Sequence, residues 1–169
     1  MTRLHRLYLF SALVLGAWSA AAPAEAARLE LVGGSYAPGM IVIRTHERRL
    51  LLTLGNGEAV AYPVAVGKPG KQWRGFARVD GKYVRPAWSP PDEVKRDKPW
   101  MPAVIPPGPH NPMGERALTL DRGEYAIHGT NMPNSIGKFA SYGCIRMFNS
   151  DIIDLYERVS VGTVVLVEP

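Results

Sequence analysis

The chain has 169 residues, 46% of them hydrophobic and 21% charged, which is enough for one core of single-domain size and too apolar for a disordered chain. Its formal net charge of +5 is scattered, with no basic run and no basic-aromatic repeat, so nucleic acid is not expected as a partner. A single cysteine excludes an intrachain disulfide framework, while seventeen glycines and fifteen prolines point to many turns and a strand-rich fold.

The first 26 residues read as a secretory signal peptide. A basic start, "MTRLHR", precedes the apolar run "LYLFSALVLGAW" and the small-residue stretch "SAAAPAEA", in which Ala24-Glu25-Ala26 fits an A-x-A cleavage site. The apolar run is short of the ~20 residues that a membrane span needs, and no second run of spanning length follows. Cleavage after Ala26 is expected, with no stable membrane insertion afterwards. Without Arg3, Arg6 and Glu25 the balance is 18 basic to 14 acidic residues, a mild positive charge that suits an anionic polymer such as a cell wall. Export also changes the meaning of Cys144. In an oxidising compartment structural cysteines come in pairs, and this one has no intramolecular partner. The count alone leaves two readings open, a buried inert thiol and a reactive one.

Residues 27–39 form a short lead. "MIVIRTHERRLLLTL" (40–54) predicts two β runs around a polar turn, "GNG" (55–57) a hairpin turn, and "EAVAYPVAVG" (58–67) the next strand, with Pro63 at an edge or bulge. Residues 68–115 are dense in Pro, Gly, Trp and charge. A stretch this long is expected to be an ordered excursion forming a lid or one wall of a site, with Trp73, Trp88 and Trp100 as packing anchors or as part of that wall. "ALTL" (117–120) and "YAIHG" (125–129) read as strands. "NSDIIDLYERV" (149–159) reads as a helix, capped by Asn149 or Ser150, with Asp151 at its positive end and Ile152, Leu155, Tyr156 and Val159 on one face. "GTVVLVE" (162–168) closes the chain as a buried strand.

A cysteine nucleophile needs a base for its proton or a cation beside its thiolate. Of the four histidines, His5 lies in the leader, His46 in a polar turn and His110 in a Pro-rich loop. His128 ends an apolar strand just before Gly129, a place where an imidazole is rigidly held yet able to face a cleft. It precedes Cys144 by 16 residues of turn-rich sequence that could fold back and join the two; the spacing permits this without requiring it. Gly143 frees the backbone to aim amides at a developing oxyanion, and Arg146 is a cation near the thiol. The S-x-x-K match at Ser135 and Lys138 lacks the S-D-N and K-T-G partners of serine acyltransferases. No H-E-x-x-H or other ligand spacing is present, so no metal is expected.

"IHGTNMPNSIGKFASYGCIRM" (127–147) resembles the active-site segment of the YkuD-type L,D-transpeptidases, a histidine followed about sixteen residues later by [S/T]-H-G-C. "YPVAVGKPG" (62–70), "IPPGPHNPMGERALTL" (105–120) and "DIIDLYERVSVGTVVLV" (151–167) resemble its flanks. The resemblance implies a mainly β fold, a YkuD-like β-sandwich of mixed sheets with one main helix near the C-terminus, over residues 40–169. It implies Cys144 as acyl-accepting nucleophile, His128 as general base, and the Gly129 carbonyl as the group that orients the imidazole. Backbone amides of Tyr142, Gly143 and Cys144 would form the oxyanion hole, and Arg146 would bind a substrate carboxylate or order the loop, with a structural ion pair as its competing reading. Tyr142 departs from the pattern, standing where the family has His, and is expected to be a structural replacement. The implied function is that of a periplasmic or cell-wall enzyme that uses no cofactor. It forms a thioester with a peptidoglycan stem peptide and passes the acyl group to an amine, making an L,D cross-link. Water as acceptor (an L,D-carboxypeptidase) and the lysine of a wall-anchored lipoprotein are alternatives. A non-catalytic wall-binding module is the alternative from another class.

Overall fold

A computed structural model describes residues 27–33 and 35–169; the expected signal peptide lies outside the described residues. The chain runs β1 (Arg28–Leu31), β2 (Ile41–Arg44), β3 (Arg49–Gly55), β4 (Glu58–Gly67), β5 (Gly75–Val84), α1 (Asp92–Asp97), β6 (Arg116–Leu120), β7 (Ala126–His128), β8 (Phe139–Ser141), β9 (Ile145–Met147), α2 (Asn149–Arg158) and β10 (Val164–Glu168). The fold is mainly β with a mixed sheet and one main helix near the C-terminus, as expected.

Two long strands, β4 and β5, each serve two sheets. The first half of β4 pairs with β1 and β3, and its second half with β9 and β8. Likewise β5 pairs with β10 through Gly75–Arg78 and with β6 through Val79–Val84. One sheet therefore runs β1-β4-β3-β2-β10-β5 and the other β5-β6-β7-β9-β4, so the two layers share both corners. Pro63 sits where β4 leaves β3 and turns to β9. It has no N–H to donate to a ladder, so the expected edge or bulge position is a corner between sheets.

The sandwich interior holds inward-facing residues of β2, β3, β4, β6, β7 and β9, namely Ile41, Ile43, Leu50, Leu52, Val64, Val66, Leu118, Leu120, Ile127 and Ile145, closed by Ile152 and Leu155 of α2. Val42 and Leu51, which point the other way, are also buried, beneath Val32 and Tyr36 of the lead segment. Burial on both faces is why "IVI" and "LLL" read as continuous apolar runs instead of alternating ones. The β3–β4 hairpin turns at Gly55, Asn56 and Gly57, all at positive φ.

Three expectations need correction. The excursion 68–115 contains β5, a ten-residue strand. Gly75 and Gly81 hid it, although Ala77 and Val79 are buried between exposed Phe76, Arg78 and Asp80, an alternation of period two. The lead 27–39 is partly sheet, since β1 pairs with β4. The cap of α2 is Phe148, with no side-chain capping bond; Asn149 is turned to another task described below. At the other end of α2, Lys82 Nζ of β5 donates to the carbonyls of Tyr156 and Val159, each at 2.6 Å, satisfying acceptors that a helix end leaves open. We expect Lys82→Met to lower stability by about 1–2 kcal/mol in urea unfolding.

Candidate active site

The site is assembled by two short parallel strands. β7 and β9 lie side by side with Ile127 opposite Ile145 and His128 opposite Arg146. Side chains alternate along a strand, so Ile127 and Ile145 enter the core while His128 and Arg146 share the other face. Cys144, two residues before Arg146, falls on that face as well. His128, Cys144 and Arg146 line one cleft, whose opposite wall comes from the excursion through Trp88, Val94 and Ile105.

His128 is buried. Its Nδ1 lies 2.7 Å from the Gly129 carbonyl. A carbonyl can only accept, so Nδ1 carries the proton and Nε2 keeps its lone pair. Burial, and then the neighbouring Arg146 charge, push the imidazole down to about 4, against the pull of the Gly129 and Pro112 carbonyls. Cys144 is half-buried, and its thiol donates to the Glu124 carbonyl at 3.8 Å. Burial raises the thiol above its ordinary range and Glu124 adds to that, while a backbone contact with Ala126 and the charge of Arg146 act in the opposite direction. Among the described residues no hydrogen bond joins thiol to imidazole, and Arg146 makes no ion pair. Arg146 is therefore a cation without a carboxylate partner, facing the cleft that holds the thiol.

The turn before the thiol is fastened from three sides. Gly143 has φ 123°, and a Cβ there would collide with the Tyr125 ring, so only glycine fits. Tyr125 stacks on Trp73 at 5.4 Å between ring centres, and Trp73 Nε1 donates to the Gly143 carbonyl at 3.1 Å. Ser141 Oγ accepts the Gly143 amide at 3.0 Å and donates to the Cys144 carbonyl at 2.5 Å. The Gly143 amide is thus engaged within the turn. Trp73 packs and at the same time props the turn, Trp88 forms part of the cleft wall, and Trp100 is 76% exposed and does neither.

Asn149 and His110 emerge only in three dimensions. Asn149 Oδ1 accepts the amides of Thr130 at 3.1 Å and Glu115 at 3.2 Å, and Nδ2 donates to the Thr130 carbonyl at 3.1 Å. It sits in a space that a Cβ on either Gly114 or Gly129 would fill, and so locks the backbone just after His128. His110 lines the cleft. The glycines of "NPMGER" and "IHGT" were the available signal for Asn149, but nothing in the sequence says what approaches them.

A family model described as the L,D-transpeptidase catalytic domain, YkuD, matches residues 38–167. The chain is 40% identical over 133 residues to the probable L,D-transpeptidase YbiS of Escherichia coli K12, an alignment covering 73% of this chain and 42% of that protein. It is 33% identical to the putative L,D-transpeptidase YkuD of Bacillus licheniformis, over 82% of this chain and 81% of that one. The chain thus spans less than half the length of YbiS and most of the length of the Bacillus relative. Among solved structures, an L,D-transpeptidase from Mycobacterium smegmatis superposes with a TM-score of 0.62 at 19% identity, covering 77% of this chain and 58% of that one. The catalytic domain of an E. faecium L,D-transpeptidase, acylated by ertapenem, gives 0.60 at 20% identity, covering 80% and 100%. At these identities the structural likeness concerns the fold.

Two outcomes follow from the geometry. Because the folded state holds His128 neutral, the unfolded chain binds a proton that the folded one refuses between about pH 6.5 and about 4. Stability should fall as pH drops through that window, and thermal unfolding of His128→Gln should show a shallower decline there. Asn149→Ala strands two amides and should cost about 2 kcal/mol, whereas Asn149→Asp, which keeps the acceptor oxygen, should cost less in the same unfolding assay.

Proposed function

The chain belongs to the YkuD family of L,D-transpeptidase catalytic domains, and on that premise we propose that it is an exported peptidoglycan L,D-transpeptidase acting through Cys144. One juxtaposition carries the reading: the sole cysteine, a neutral buried histidine and a guanidinium with no acidic partner among the described residues open on one cleft.

The first half-reaction makes the thioester. His128 Nε2, left free by the Nδ1–Gly129 bond, takes the thiol proton as Sγ attacks the carbonyl that precedes a D-residue of the donor stem. The C–S bond forms, the C–N bond breaks, and the proton passes to the leaving amine of the D-residue. In this reading the backbone amides of Tyr142 and Cys144 serve the oxyanion, joined by Gly143 once its N–H exchanges Ser141 Oγ for the charged oxygen. Arg146 takes a donor carboxylate. In the second half-reaction the amine of another stem attacks the thioester, gives its proton to His128, and releases the thiol. Peptide-bond energy is carried in the thioester, so no cofactor is needed.

A second cleft meets the thiol from the other side, lined by Arg122, Glu124 and Tyr125 and sharing Pro91, Tyr142 and Cys144 with the first. Room for a second substrate beside the acyl-enzyme favours an amine acceptor over water, and a lipoprotein lysine would enter the same way. Residues 40–169 are the catalytic domain in this reading, and residues 1–26 direct it to the periplasm or cell-wall space. No helix among the described residues is long and apolar enough to cross a membrane.

The E. faecium neighbour was solved acylated by ertapenem, so a carbapenem is an apt probe. Intact mass should show one covalent adduct on the mature protein and none on Cys144→Ala. His128→Ala should slow adduct formation by roughly 10²–10⁴-fold. No adduct on protein that still binds cell wall would sink the enzyme and leave a wall-binding module. Muropeptide products made by the active protein would separate cross-linking from carboxypeptidase action.

A further inference from the structure

Tyr142 stands two residues before the thiol, yet the proposed chemistry uses only its backbone amide. Its side chain is engaged elsewhere. The hydroxyl donates to Asp97 Oδ2 at 2.7 Å. Lys68 Nζ lies 3.8 Å from the centre of the same ring and 3.6 Å from the same carboxylate oxygen. A parallel tie joins Lys71 to Glu93. Both acids belong to α1, while both lysines belong to the turn that leaves β4. The domain therefore grips one short helix by its acidic side chains. That helix has little else to hold it. Six residues are too few for a helix stable on its own, Val94 is its only buried residue, and no side chain caps its start.

The position of α1 gives the grip a consequence. Pro91, Val94 and Lys98 line the cleft that holds His128 and Arg146. Pro91 and Glu93 line the second cleft, beside Arg122 and Glu124. The two openings converge on Cys144, and the other residues common to both linings are Tyr142 and Pro91, the residue that leads into α1. The Tyr142 hydroxyl, and then Lys68, hold the Asp97 carboxyl below its ordinary range despite some desolvation, so it is ionised at neutral pH. The phenol is raised, chiefly by that same carboxylate, and remains a donor.

We propose that Tyr142 is a positioning residue: with Lys68 it anchors Asp97, holds α1 as a partition across Cys144, and so limits how bulky a group reaches the thiol from either cleft. Its consequence in turnover rests on the transpeptidase reading, where the partition keeps donor and acceptor on separate sides of the sulfur. The grip itself is a property of the fold and is testable without turnover.

Tyr142→Phe keeps the ring and its contact with Lys68 and removes only the hydroxyl. Asp97→Asn removes the charge at the other end of the bond. Cys144 is labelled in each with iodoacetamide, a small reagent, and with a pyrene maleimide, a bulky one, and backbone amide exchange is followed over residues 92–98. In either variant the bulky reagent should react about fivefold faster while the small one changes by less than about twofold. Exchange at the Lys95 and Lys98 amides should rise by a similar factor, and the double variant should add little to either single one. Raising salt to about 0.5 M should bring the wild-type protein toward the variants, because exposed charges are screened. An unchanged bulky-to-small ratio in both single variants overturns the proposal. Equal acceleration of both reagents, the mark of general loosening, also overturns it. Labelling needs no acyl transfer, so failure of the carbapenem adduct bears on the catalytic reading alone.

Discussion

The parallel pairing of β7 with β9 is the constraint on which the site depends. Each strand is three residues long, and together they make one pair of opposed side chains on the core face and one on the cleft face. Ile127 and Ile145 occupy the core side, and both are buried. A slip of one residue would turn Arg146 and Cys144 inward and leave Ile145 exposed. The apolar core therefore enforces the register that brings His128, Arg146 and the thiol to one surface. Parallel strands need a long crossover. The sixteen residues 129–144 that join β7 to β9 supply it, with β8 giving the connection a hold on β4 on the way.

Register alone leaves the turns at either end free, and each is secured by a different device. After His128, the backbone closes around the Asn149 amide group, which answers two N–H groups and one carbonyl at once. Asn149 opens α2, so the helix whose apolar face plugs the core also fixes the histidine's orientation. Before Cys144, the Gly143 turn is held between the Tyr125 ring and the Trp73 indole. Trp73 is itself part of the core cluster. Both devices carry the rigidity of the core to the site over only a few bonds, as preorganised catalysis requires.

How legible this was depends on the range of the interaction. Strands β2, β3, β4, β6, β7 and β10 and helix α2 could be read because burial imposes a local period or an apolar run. His128 and Cys144, the partners of the proposed chemistry, could be singled out by residue type, by the cysteine count, and by a motif of fixed spacing. Strand β5 was lost in a segment of high Pro and Gly content, although its own alternation survived. What could not be read was decided between distant segments. Asn149 looks like a helix cap in sequence, but Gly114 and Gly129 come together around it and recruit it instead. Arg146 could have been half of a structural ion pair, and only the folded chain leaves it without an acid among the described residues. Tyr142 looked like a replacement within a motif, while its partner Asp97 is 45 residues away.

The electrostatics of the cleft bear on how the proposed chemistry would start. Burial acts on both groups in the direction of neutrality, pushing His128 down to about 4 and the Cys144 thiol up. A resting thiolate–imidazolium pair is therefore disfavoured at both ends. Arg146 does not treat the two ends alike: it lowers the thiol and lowers the imidazole too. Its charge favours the anion on sulfur and opposes a lasting cation on His128. An imidazole with this bias is poised to take the proton only briefly and to give it up readily to a leaving amine. Negative charge, for its part, is better tolerated on an oxygen that backbone amides can reach than on a partly desolvated sulfur. Proton transfer from Cys144 is then most favourable when it accompanies attack, with the charge passing from sulfur to the carbonyl oxygen as it forms. A site arranged in this way would keep its thiol protonated, and so protected from oxidation, until a substrate carbonyl is in place to receive the charge.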